Sequence, residues 1–309
     1  MDSLNIECTS TCKKCIFCGK IEAEFDENNC WTEEHIIPEA LGNESLKLFN
    51  VCKKCNSGLG TYVDSYFVNH MLLKIIRQDL GLKGQSSEFP NAFKEGKDKD
   101  GHRIRVDESY HSTIVPYIEQ HGNRIRVVSS SKKEVKEMIQ KKLARMKMPG
   151  SVIEEALDKV DEVESHLFRP EIQYNATIEC NRFYLEALKI AFEYAVYKLG
   201  DNYLKDRRAL EIQEYLNNAI KGKIKKECIE FSGVSLIHEK IRESLQTACK
   251  LNCHMLMLHP DVADKLIAEV ILFMEPALSF SVLVSNDAKQ FDNTKEPLVD
   301  IIGIKTNKD

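Results

Sequence analysis

The sequence predicts an α+β protein in two parts: a small metal-stapled unit over residues 1–66 and a larger α+β region over residues 67–309. Three observations lead there. The chain has 309 residues, a length suited to two domains or to one large domain with an appendage. Seven of its 11 cysteines (Cys8, Cys12, Cys15, Cys18, Cys30, Cys52 and Cys55) fall in the first 55 residues. Beyond residue 180, two runs of helical periodicity precede several strand-like runs, the order of an α+β domain with an antiparallel meander.

In the N-terminal unit, Trp31 to Ile37 reads as a strand ended by Pro38, Leu46 to Val51 as a second strand, and Asn56 onward as a helix. Tyr66 to Leu80 carries apolar residues at helical spacing closed by Gly81, and residues 82–100 read as a loop. Arg103 to Val106 and Arg124 to Val128 alternate basic with apolar residues, as half-exposed strands do. Ser129 to Ser131 offers an N-cap to a basic helix reaching about Lys147, which Pro149 and Gly150 stop. A short helix follows over Val152 to Val163. The strongest helical pattern is Asn181 to Leu199, with Leu185, Leu188, Phe192, Val196 and Leu199 along one face; a second helix covers Tyr203 to Ile220. Strand-like runs then occupy Cys228–Phe231, Cys253–Leu258, Leu266–Met274, Leu278–Val284 and Leu298–Ile304.

Composition excludes several classes. With 43% hydrophobic and 29% charged residues the chain is not a disordered one. No apolar run reaches the ~18–20 residues of a membrane span, and the polar segment Met1 to Cys18 lacks the apolar core of an export signal, so no membrane partner and a cytoplasmic location are expected. Clustered thiols in that compartment point to metal or redox chemistry, whereas Cys180, Cys228, Cys249 and Cys253 read as buried thiols. A net charge of −5 argues against a generic polyanion binder, but it averages −5 over residues 1–64, +5 over 65–160 and −5 over 161–309.

The chemistry sits early. Cys15-x-x-Cys18 and Cys52-x-x-Cys55 are separated by 33 residues, and two such knuckles complete a tetrahedron of thiolates around a structural zinc. Gly19 suits the turn of the first knuckle, and a unit of some 60 residues has little core of its own, so a metal staple is physically sensible. Between the pairs lies Thr32-Glu33-Glu34-His35-Ile36-Ile37-Pro38, and Asn56 follows the second pair. Carboxylate and amide oxygens of Glu34 and Asn56 suit a hard divalent cation, Mg²⁺ or Mn²⁺, while an imidazole such as His35 can take a proton from water near neutral pH. Neighbouring strand residues face opposite ways, so Glu34 and His35 converge only if the backbone bends there.

The combined string, Cys-x-x-Cys-Gly, then Glu-Glu-His-Ile-Ile-Pro-Glu-Ala-Leu-Gly, then Asn-Val-Cys-x-x-Cys-Asn-Ser, resembles the HNH endonucleases of the ββα-metal fold, in the branch stapled by two C-x-x-C pairs. The resemblance covers residues 15–64. It implies that His35 is the general base and that Glu34 and Asn56 hold the catalytic ion. It also implies an Asn that braces the loop around His35; Asn50 is the nearest match, with Asn43 the alternative because Asn50 lies only six positions before Asn56. Asp64 matches an acidic position of this branch that braces the site or touches the ion, unless it is a surface carboxylate. The implied reaction is hydrolysis of DNA, leaving 5′-phosphate and 3′-hydroxyl ends. Roles in bacterial antiviral defence or restriction, and a homodimer for double-strand cleavage, fit the same branch.

Outside that motif, Arg124, Arg126, Lys132, Lys133, Lys136, Lys141, Lys142 and Arg145 form the candidate phosphate-contacting surface, against a plain solvated helix face. His254 and His259 flank an apolar strand and are expected to pack or face solvent. The remaining C-terminal sequence is open to DNA positioning, signal sensing through a ligand or partner protein, or dimerisation. The rival function classes are a non-catalytic zinc-stapled nucleic-acid-binding or scaffold protein, and a nuclease acting on RNA.

Overall fold

The computed structural model describes residues 13–84, 88–107, 109–122, 124–164, 171–224, 233–239, 241, 243 and 252–305. In chain order the elements are β1 (Trp31–His35), β2 (Lys47–Cys52), α1 (Lys53–Leu59), a π-helical turn (Gly60–Asp64), α2 (Ser65–Asn69) and α3 (Met71–Leu80). Next come β3 (Glu95–Lys97), β4 (Arg103–Val106), β5 (Ser112–Ile114), β6 (Tyr117–His121), β7 (Arg124–Val128), α4 (Lys132–Arg145) and α5 (Gly150–Glu162). The chain finishes with α6 (Cys180–Leu199), α7 (Arg207–Ala219), β8 (Val234–Leu236), β9 (Cys253–Pro260), β10 (Leu266–Ile271), β11 (Ser279–Ser285) and β12 (Leu298–Gly303). The α+β class follows directly, with antiparallel sheets throughout.

These elements form two compact units, one of residues 1–90 with 178–309 and one of residues 91–177. That partition differs from a boundary near residue 66. The reason is the shortage of core in the N-terminal ββα element, whose apolar face packs on α6 and α7. Phe17 lies 5.7 Å from Phe192, ring centroid to centroid, and Phe67 lies 4.9 Å from Phe183. Arg182 donates to the carbonyl of Tyr62 at 2.9 Å, and Gln213 donates to that of Ile16. Gly58 of α1 approaches Ile220 so closely that a Cβ there would stand 2.8 Å from the Ile220 carbonyl oxygen.

In this first unit, β12-β9-β10-β11-β8 form a five-stranded antiparallel sheet. Leu256, Leu258, Ala268, Val270, Phe280, Val282 and Val284 are buried in one core with α6 and α7. Helix α6 is buried on nearly all sides from Phe183 to Val196, so it is the central post of the unit. Asp206 caps α7 by accepting from the amides of Arg208 and Ala209. The run read as one helix from Tyr66 to Leu80 is broken at His70, whose backbone is extended and whose ring nitrogen caps α3 by accepting from Leu72 N.

The second unit holds the sheet β3-β4-β5, the hairpin β6-β7 and the helix pair α4 and α5. Ser131 caps α4, its hydroxyl accepting from Glu134 N at 3.3 Å. Strand β3 falls within the stretch read as a loop. The run Cys228–Phe231, and Cys8, Cys12 and Cys249, lie outside the described residues. Cys253 is buried as expected, whereas Cys180 is exposed because it opens the first turn of α6.

Candidate active site

The two C-x-x-C turns meet at one end of the β1-β2 hairpin. The Sγ atoms of Cys15, Cys18, Cys52 and Cys55 all lie within 4.8 Å of one another, and those of Cys18 and Cys52 are 3.9 Å apart. A zinc ion at ~2.3 Å from each of four thiolates gives a tetrahedron with edges of about 3.8 Å, so the four sulfurs fit that ion. The first knuckle closes through Gly19 N to Cys15 O at 2.8 Å, with Gly19 at φ +71°, a conformation that glycine adopts without strain. The second leads straight into α1, and its Cys52 amide donates to Cys15 Sγ at 3.4 Å.

Between β1 and β2 the loop Ile36–Leu46 is held by Asn43, which is fully buried. Its amide nitrogen donates to the carbonyls of Ile37 (2.8 Å) and Leu46 (3.0 Å), and its oxygen accepts from the amides of Ser45 (3.2 Å) and Leu46 (2.9 Å). The brace is therefore Asn43. Asn50 lies within β2, half-buried, and its backbone carbonyl serves the first knuckle by accepting from Ile16 N at 3.0 Å. The side of the loop facing the sheet is pinned by His254, which is fully buried: Nε2 meets Leu41 O at 3.0 Å and Nδ1 accepts from Phe273 N at 3.0 Å. Burial drives the His254 imidazole down to about 4, so it is neutral.

The bend anticipated on β1 exists: the β1-β2 register shifts between Thr32 and Glu34. It does not bring Glu34 together with Asn56. Glu34 is 4% exposed, and its carboxylate is turned into the core, where Lys189 Nζ lies 2.9 Å from Oε1. His35 leaves the strand on the other side, half-buried, and its imidazole has no hydrogen-bond partner among the described residues. Burial, with Lys47 and Lys189 nearby, holds that imidazole below its ordinary value, against Glu39 and Glu33. Asn56 sits in α1 with its amide nitrogen bonded to Thr32 Oγ1 (3.2 Å) and Glu33 O (2.8 Å). Those two bonds leave its Oδ1 available, which suits a hard cation. Glu34 as placed does not fit the same ion.

Around Lys189 is a buried group of charges that the sequence reading passed over. The ammonium lies 3.2 Å from Asp64 Oδ1 and 3.6 Å from Glu193 Oε2, and donates to the His35 carbonyl at 3.2 Å. Asp64 is thus an internal brace. Glu186 and Glu193 are fully buried, and burial raises both carboxyls well above the usual range. Burial likewise raises Glu34 to about 7, while Lys189 pulls it down and Asp64 pushes it up. The available signal was three charges at i, i+3 and i+7, the only ones in the stretch from Phe183 to Tyr197, placing them on one buried face of α6.

The basic residues lie in the second unit. Arg126 pairs with Glu119 at 3.3 Å, Lys136 with Asp161 at 2.6 Å, and Lys132 donates to the Asp161 carbonyl at 2.8 Å. Arg124, Lys133, Lys141 and Arg145 stand exposed, and Lys142 borders a cleft of about 520 Å³ between β7, α4 and α5, floored by Ile125, Val135, Ile139, Leu143 and Val160. Elsewhere in this unit Asp98, Asp100 and His102 converge on one another. Asp98 accepts from the backbone amides of Asp100 and His102, and the His102 ring is held between Asp98 at 3.0 Å and Glu119 at 3.2 Å.

A four-thiolate staple on a ββα element, with a histidine at the strand end and an asparagine on the helix, is the architecture of a zinc-stapled HNH module. Residues 15–72 match the family model described as HNH endonuclease, a family of metal-dependent nucleases, and the four-cysteine cluster fits the zinc-stapled form of that module. A search of the curated proteins and of the solved structures returned no match. No helix among the described residues is long and apolar enough to cross a membrane.

Proposed function

We propose that the protein is a metal-dependent endonuclease that hydrolyses phosphodiester bonds of double-stranded DNA, with His35 as general base. The observation that carries this reading is the state of His35. It stands at the end of β1 beside a braced loop, its ring is unengaged, and burial with Lys47 and Lys189 nearby lowers its pKa from the ordinary imidazole value. Such a group accepts a proton from water as the water oxygen bonds to phosphorus and the bond to the 3′ oxygen breaks. Asn56 Oδ1 is the protein ligand offered to the ion. A bound Mg²⁺ or Mn²⁺ supplies charge stabilisation to the phosphoryl oxygens and the leaving group. The four cysteines hold a structural zinc and take no part in the reaction.

One such centre cuts one strand, so cleavage of both strands calls for a homodimer. Exposed Lys133, Lys141 and Arg145 are offered as phosphate contacts, and the cleft beside α4 as the place for a small apolar signal ligand. A cytoplasmic role in antiviral defence suits a nuclease whose activity such a signal restrains. The test is conversion of supercoiled plasmid to nicked and linear forms with Mg²⁺, Mn²⁺ or chelator, beside a structured RNA. Metal-dependent DNA cleavage supports the proposal. Cleavage of RNA alone moves the substrate class, and cleavage of neither leaves a zinc-stapled scaffold.

A further inference from the structure

Lys189 lies 154 residues beyond His35 in sequence, and its side chain is fully buried in the middle of α6. A buried ammonium is costly unless it is paired and hydrogen-bonded on several sides. Here the partners come from three places in the HNH module: Glu34 on β1 at 2.9 Å, Asp64 at the end of the π-helical turn at 3.2 Å, and the main-chain carbonyl of His35 at 3.2 Å. Glu193, one turn along α6, completes the surround at 3.6 Å.

The consequence lies in strand geometry. Successive side chains on a strand leave opposite faces, so a cation that fixes the Glu34 carboxylate inward and the His35 carbonyl in place also fixes the direction in which the imidazole leaves β1. For Glu34 to hold an ion beside Asn56 instead, it would have to abandon Lys189 and turn out of the core, leaving the ammonium with Asp64 and Glu193. The packing favours the inward state, since Glu34 is 4% exposed. We propose that Lys189 is a positioning residue for His35 and that Glu34 serves the reaction through Lys189, not as a ligand of the catalytic ion. This rests on the nuclease reading of the module.

The test compares wild type with Glu34→Gln, Lys189→Met and the double variant, all as full chains. Zinc content and melting temperature report folding. Cleavage is followed across Mg²⁺ and DNA concentrations, and the His35 ring signals, assigned by their loss in His35→Ala, are followed by NMR. Each single variant is expected to lower kcat about tenfold or more at saturating Mg²⁺. Half-saturating Mg²⁺ and KM should stay within about twofold, and the double variant should be no worse than the poorer single one. The His35 ring signals shift in every variant. Should Lys189→Met fail to fold, because Glu186 and Glu193 lose the cation beside them, Glu34→Gln carries the test alone. The proposal is overturned if Glu34→Gln raises half-saturating Mg²⁺ about tenfold while excess ion restores kcat, the behaviour of a lost ligand. It is also overturned if Glu34→Gln leaves the His35 ring signals unchanged. That last readout decides the matter even if the chain cleaves no nucleic acid, which would refute the nuclease reading alone.

Discussion

Replacing Asn43 with alanine removes one side chain and four hydrogen bonds from the loop that follows His35. The amide nitrogen of Asn43 is the partner of Ile37 O, and its oxygen is the partner of Leu46 N, at 2.8 and 2.9 Å. Asn43 and Leu46 are buried, as is Ile37, so water cannot readily replace what is lost. Each buried group left unsatisfied costs ~1–3 kcal/mol, so two give roughly 2–6 kcal/mol. Against a total of ~5–15 kcal/mol for a typical domain, that is a large fraction. Urea unfolding of the zinc-loaded protein should show the midpoint falling by that amount at constant slope. Asn50→Ala provides the control, since the contact of Asn50 that matters is made by its backbone carbonyl and survives the change. It should cost under about 1 kcal/mol, since no side-chain hydrogen bond of Asn50 is lost. Equal losses in the two variants, or a loss below about 1 kcal/mol for Asn43→Ala, would refute the assignment of the brace.

Three further outcomes are expected. Cys52→Ser or strong chelation removes zinc and unfolds the module, because site formation contributes ~10–16 kcal/mol in comparable small zinc folds; retained far-UV circular dichroism without zinc would contradict this. Because His35 is held below its ordinary value, log kcat/KM rises with pH to an inflection under 6.5 and is flat above it. An inflection above about 7 would exclude an unassisted His35 as the base. His254 binds a proton in the unfolded chain near 6.5 but in the fold only near 4, so the unfolded state holds more protons between those values. Its contribution is present above pH 6.5 and is lost as pH falls toward 4, by roughly 3 kcal/mol in all; His254→Asn should flatten that part of the stability profile measured by thermal melting.

The zinc staple was legible because its ligands are paired within four-residue turns, and sequence spacing is nearly spatial spacing there. The strand, loop, strand, helix order and the bend on β1 were legible for the same reason. Asn43 could not be separated from Asn50 by spacing, since the choice depends on which side chain folds back over the loop. Glu34 shows where local reading stops. Its neighbours in sequence suggest an ion ligand, but its partner in space is Lys189, brought in by packing of the module against α6. Likewise the division of the chain follows from burial: Phe17, Phe67 and Gly58 have apolar or backbone partners on α6 and after α7, so the ββα element and the C-terminal sheet share one core. The basic stretch was read correctly as a capped helix, but its ion pairs with Glu119 and Asp161 were not visible, because they depend on how β6, β7, α4 and α5 assemble.

The central claim is that His35 activates the water that cleaves the phosphodiester bond. The most direct measurement is the single-turnover rate of plasmid nicking by His35→Ala at saturating Mg²⁺, with zinc content and melting temperature matched to wild type. A loss of about 10²–10⁴-fold is expected, the usual contribution of a general base. Nicking at the wild-type rate by a folded, zinc-loaded His35→Ala protein would contradict it.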